Sequence, residues 1–97
     1  MNISDIQQAF DAAYTKDPRD GLTINHSSEE GHFRVEVRHQ DTDGNLRGFD
    51  VVAEPTPAEE RSADDIGQAM AQVVEQELAY GQLPARGDDG EFRRIVV

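Results

Sequence analysis

Strict alternation of apolar residues along two neighbouring segments constrains the fold of this chain more than any other feature. Apolar side chains at every second position predict strands with one buried face and one exposed face. The three-residue loop Thr42-Asp43-Gly44 between the segments suits a type I turn closed by a glycine in the left-handed region. The residues predicted to pair on the buried face are Val37 with Phe49, Val35 with Val51, and Phe33 with Ala53.

Two helices flank this hairpin in the sequence. Apolar residues at helical spacing predict a first helix that is capped by Ser4 and ended by Asp17-Pro18. A longer stripe from Ile66 to Leu78 predicts a second helix, which begins either at a cap on Ser62 or earlier at Thr56-Pro57. Both stripes need an apolar surface to cover, and the hairpin supplies one.

Two further strands complete the prediction. Residues 22–26 alternate and lead into a turn at residues 27–31, and residues 92–97 form a last strand whose inward face is ambiguous. The sequence predicts one domain over residues 1–97, an α+β two-layer sandwich in the order α-β-β-β-α-β. We expect an antiparallel sheet of three to four strands with both helices on one face. The residues expected on the other, solvated face are Arg34, Glu36, Arg38, Asp50, Val52 and Glu54.

The charge balance limits the partners of this protein. Twenty Asp and Glu oppose nine Lys and Arg, which gives a net charge of −11. Such a chain repels nucleic-acid phosphates and anionic membranes and attracts basic partners. Eight of the nine basic residues are arginine, which is consistent with either a GC-rich mesophile or a salt-adapted source. The chain lacks cysteine, an apolar run of membrane-spanning length and a signal-peptide pattern, so we expect a cytoplasmic location.

The order α-β-β-β-α resembles that of double-stranded RNA-binding domains. Those domains place lysines at the start of the second helix to bind phosphates, whereas this chain has Ala63-Asp64-Asp65 there. The charge at this position is the opposite one, so the likeness in element order does not imply binding to RNA.

Neither a metal site nor a catalytic site is predicted. His26, placed opposite Phe33, would lie ~20 Å from His39, and His32 points to the other face. The segment from Asp41 to Asn45 resembles the opening of a calcium loop. That loop would need glycine at its sixth position and glutamate at its twelfth, where Leu46 and Val52 stand. No nucleophile, base and orienting group converge in the sequence. We therefore expect no cofactor, no metal and no enzymatic activity.

A partner surface is predicted on the second helix. Three glutamines at i, i+4 and i+8 form an uncharged strip beside two acids, and the alternative is an ordinary solvated helix face. These residues are Gln68, Gln72, Gln76, Asp64 and Asp65.

Three functions remain open on the sequence alone. The leading hypothesis is a small acidic, non-catalytic protein-interaction or regulatory domain with a protein partner, and the net charge favours a basic one. The alternatives are a nucleic-acid mimic that blocks a DNA-binding protein, and a ligand binder or enzyme with a pocket between helices and sheet near His26 or Tyr14. A homodimer formed by pairing of the last strand is a further expectation.

Overall fold

The computed structural model describes residues 3–14, 22–29, 32–53, 62–80 and 83–97. Within them the chain forms two helices and one four-stranded sheet, so the predicted α+β class is confirmed. The helices are α1 (Ile3–Ala13) and α2 (Ala63–Ala79), and the strands are β1 (Leu22–Glu29), β2 (His32–Gln40), β3 (Leu46–Val52) and β4 (Arg93–Val96). In the described segments, neither helix is long and apolar enough to cross a membrane.

The central hairpin has the predicted register. Val37 lies opposite Phe49 and Val35 opposite Val51, and the amide of Ala53 donates to the carbonyl of Phe33 at 3.1 Å. In the connecting loop, the Gly44 amide donates to the Asp41 carbonyl at 3.0 Å. Gly44 has φ +84°, which only glycine adopts at little cost. The turn chemistry and the apolar pattern therefore fix the same pairing.

One apolar layer joins the helices to the sheet. Phe33, Val35 and Val37 from β2 are completely buried, and β3 adds Phe49 and Val51. The helix residues in the same cluster are Ile6 and Phe10 from α1, and Ile66, Met70, Ala71, Val74 and Leu78 from α2. Burial of this layer is the main favourable term in folding. It also fixes both helices on one face of the sheet.

The sheet is mixed, so the expectation of a wholly antiparallel sheet was wrong. The strand order is β1-β2-β3-β4, and β4 runs parallel to β3, with Val51 opposite Ile95. The reason is the connection between them. α2, about 26 Å long, separates the two strands in sequence, and a helical crossover of this kind joins parallel neighbours.

The register of the first hairpin also differs from the prediction. His26 lies opposite Val35 and not Phe33, because β1 continues through Ser27 and Ser28 to Glu29. Glu29 pairs with His32, so the predicted turn over residues 27–31 was placed too early. A polar run of serines and acids is typical of a loop, but serine costs little on a strand that is only half covered.

α2 starts at the cap on Ser62, the later of the two predicted starts. The Ser62 hydroxyl accepts a hydrogen bond from the Asp65 amide at 3.1 Å, and the helix begins at Ala63. α1 already includes Ser4, so this residue is not its cap. The predicted features at Asp17-Pro18 and Thr56-Pro57 lie outside the described residues.

The inward face of the last strand is now defined. Ile95 and Val97 pack against the apolar core, and Arg93 on the same side lies 3.6 Å from Glu77 of α2. Arg94 lies opposite Asp50 on the other face of the sheet.

Candidate functional site

The predicted partner surface lies beside a groove between the two helices. Asp64, Gln68 and Gln72 of α2 form one wall, and Ala9 and Ala12 of α1 form the other. Asp65 and Gln76 are exposed but do not line this groove. The structure thus brings three of the five predicted residues together with a wall that the sequence reasoning did not identify.

The two helices approach closely at Gly67. A Cβ atom at this position would lie 2.5 Å from the Ala9 Cβ and 2.7 Å from the Phe10 backbone nitrogen. Small residues on facing sides of two helices allow such an approach. The alanines at positions 9, 12 and 13 and the glycine at 67 were the sequence signal for this contact, since small residues recur there at helical spacing.

The groove carries negative charge. Asp64 and Glu75 line it at α2, and Asp5 and Gln8 line its continuation towards the start of both helices. No described residue that lines these two stretches is basic. Asp64 and Asp65 also have a structural role, because carboxylates in the first turn interact favourably with the helix dipole.

The opposite face of the sheet is organised around a buried carboxylate. Asp50 is 7% exposed, and its two oxygens lie 2.8 Å from the guanidinium groups of Arg34 and Arg38. Arg38 also donates to the carbonyl of Phe49 at 3.1 Å. Because the three side chains come from neighbouring strands, this network holds β2 against β3.

This face is therefore not the solvated surface that the sequence suggested. Val52 is buried, and the ring of Phe92 lies 3.9 Å from the guanidinium carbon of Arg38. Arg86 approaches the same ring at 4.9 Å. The segment before β4 thus covers part of the ion-pair network, an arrangement that local alternation cannot reveal. A small groove beside it is lined by Arg34, Asp50, Val52, Glu91, Phe92 and Arg94.

Of the three histidines, His26 has the most contacts. Its Nε2 lies 3.1 Å from a carboxylate oxygen of Asp11, and its ring stacks on Phe33 with a centroid distance of 5.6 Å. Phe10 meets it edge to face, and Tyr14 stacks on Phe10 at 5.6 Å. Core aromatic rings therefore occupy the space next to His26 and Tyr14. In the described part of the chain, no three His, Asp or Glu residues are grouped closely enough to hold a metal ion.

The calcium-like segment has a different role in the hairpin. The Asp41 carboxylate accepts hydrogen bonds from the amides of Asp43 and Asn45 and from Nε of Arg47, at 2.8–3.0 Å. The bond from Arg47, with those from the two amides, lowers the pKa of Asp41. This carboxylate closes the turn.

Comparisons with known proteins found no match for this chain among protein-family models, curated proteins or solved structures.

Proposed function

We propose that this protein is a non-catalytic interaction domain that binds a basic segment of a partner protein along the α1–α2 groove. The observation that carries the proposal is the lining of the groove. Ala9 and Ala12 make one wall of the groove small and apolar, and Asp5, Asp64 and Glu75 place carboxylates along it. An amphipathic helix with small apolar residues and flanking Lys or Arg would complement such a surface.

The distribution of charge supports the groove over the outer face of the sheet. On the outer face, Asp50 is already bound by two arginines, so its charge is neutralised within the chain. Asp5 and Asp64 are exposed and stand in the first turns of their helices. Exposed carboxylates increase the association rate with a basic partner and make binding sensitive to salt.

A pull-down with matched variants tests this proposal. D5N/D64N removes two charges from the groove, whereas D43N/D88N removes two charges from exposed turns elsewhere. We expect a protein that wild type captures at low salt to be retained by D43N/D88N and lost or reduced several-fold by D5N/D64N. Equal capture by both variants would exclude the groove as the contact surface.

Two further arms separate this proposal from the other functions. High salt should release a partner that is held by charge. If added duplex DNA displaces the captured protein, and D43N/D88N weakens capture as much as D5N/D64N does, the result favours a nucleic-acid mimic instead. No capture by wild type at either salt concentration would contradict the interaction hypothesis.

A further inference from the structure

The sheet has two edges, and they differ in length and charge. β4 at one edge is four residues long and carries Arg93 and Arg94. β1 at the other edge is eight residues long and has only β2 as a strand neighbour within the described chain. A strand at the edge of a sheet presents backbone N–H and C=O groups on its free side. β1 therefore offers the longer template for pairing.

From Leu22 to Ser28, the described part of β1 carries no charged residue, proline or bulge that would protect an exposed edge. Natural edge strands avoid pairing through lysines, proline, bulges or very short length. Residues 22–28 contain no Asp, Glu, Lys, Arg or Pro. The ladder to β2 runs without interruption from the pair Leu22 and His39 to the pair Glu29 and His32, so the strand has no bulge. Antiparallel pairing of residues 22–28 between two strands would therefore bring no formal charges together when histidine is neutral.

We propose that two copies of this chain dimerise by antiparallel pairing of β1 with β1, which joins the two four-stranded sheets into one. We take the occupant to be a second copy because this strand can pair with itself in an antiparallel register and brings no carboxylates into that pairing. Each copy carries a net charge of −11, and pairing of residues 22–28 brings no like charges together, whereas β4 carries Arg93 and Arg94. A basic partner, by contrast, finds no carboxylate on residues 22–28.

The geometry of the strand suits a two-fold axis perpendicular to the sheet. An axis at Asn25 places Thr23 opposite Ser27 and Ile24 opposite His26 of the second copy, so inward residues pair with inward residues. Ile24 is half-buried in the single chain and gains cover from the second copy. Among the described residues, the helices contact the sheet mainly at β2 and β3, and α1 reaches β1 at His26.

Sedimentation velocity over a range of concentrations tests the proposal. We expect wild type to reach twice the chain mass of 10.8 kDa, with stronger association at higher salt because the copies repel each other elsewhere. This salt dependence is the reverse of that expected for the groove, so the two proposals can fail independently.

The double variant T23E/S27E should weaken the dimer. Within one copy, the new carboxylates lie opposite Arg38 and Arg34, but S27E also loses the hydrogen bond from Ser27 to Glu36. Thermal melting followed by circular dichroism checks that the variant is folded. Across the two-fold axis they face each other twice, and we expect the dissociation constant to rise about tenfold or more. Q72E/Q76E on exposed α2 positions adds the same charge away from the edge and should leave the dimer largely intact.

The variant V96E distinguishes the two edges. Val96 is 52% exposed on β4, so its substitution should not affect pairing at β1. The proposal is wrong if V96E dissociates the dimer and T23E/S27E does not, or if Q72E/Q76E weakens it equally. A monomer at every concentration also overturns it. The proposal is also wrong if the amides of residues 23–27 are protected against hydrogen exchange only when another protein is added.

Discussion

Substitution of Gly67 by alanine tests the packing of the two helices directly. A helical glycine that is replaced by alanine normally gains about 1 kcal/mol from helix propensity. Here the added Cβ would lie 2.5 Å from the Ala9 Cβ, whereas carbon atoms pack at ~3.5–4.0 Å. The nearby Phe10 nitrogen belongs to the backbone, so rotation of a side chain cannot relieve the contact.

The expected result of G67A is a net loss of stability. Overpacking of this kind costs about 1–3 kcal/mol and more where backbone must move. Because backbone must move here, we take the upper end of that range, and subtracting the gain in propensity of about 1 kcal/mol leaves an expected loss of about 2 kcal/mol, or about 8–16 °C in the thermal midpoint of a domain of this size. Urea unfolding followed by circular dichroism measures the free energy of unfolding.

Two controls make this measurement interpretable. Q76A, an exposed position on the same helix, should change the free energy of unfolding by less than about 0.5 kcal/mol. A9G removes the methyl group that the new Cβ would meet, so it should restore part of the loss in the G67A background although it destabilises wild type. A G67A protein as stable as wild type would show that α1 and α2 do not pack as described.

Two other substitutions test the charged groups. D50N removes the buried charge shared by Arg34 and Arg38 and should lower the free energy of unfolding in urea by about 3 kcal/mol. E36Q, at a more exposed contact of Arg34, should lower it by less than about 1 kcal/mol. Equal losses would contradict a central role for Asp50. Because the pKa of Asp41 is lowered in the folded chain, its contribution to stability is complete above its ordinary pKa and is lost as pH falls through the lowered one. The urea midpoints of wild type and D41N should therefore converge in strong acid, and a constant gap would refute this linkage.

Local patterns in the sequence predicted the parts of the fold that depend on neighbouring residues. The alternation in β2 and β3, the glycine at position 44 and the cap at Ser62 each act within a few residues, and each is confirmed. The direction of β4 depends on how α2 connects it to β3. The alternation of apolar and polar residues within a four-residue strand does not specify that direction. The predicted β1 ends too early, before Ser27, whereas the strand continues to Glu29. Its last residues are polar, and a strand that α1 covers only in part tolerates polar residues.

The candidate site shows the same division. The strip of glutamines and acids on α2 could be found from helical spacing, and Asp64, Gln68 and Gln72 do share one groove. The spacing of the alanines in α1 indicates a close contact with another helix, but it does not specify that they line the groove beside Asp64, Gln68 and Gln72. The contact of Phe92 with Arg38 joins residues more than fifty positions apart, and therefore has no local signal.

The way the outer face of the sheet is covered limits where this protein can make contacts. A two-layer domain leaves one sheet face without helices, and here that face is closed by ion pairs to Asp50 and by the ring of Phe92. Charges that neutralise each other within the chain contribute little to attracting a partner. Two other surfaces remain for contacts. The groove between the helices is acidic, and residues 22–28 at the β1 edge carry no formal charge. Salt should therefore weaken contacts in the groove and strengthen contacts at the edge, so one salt titration separates the two surfaces.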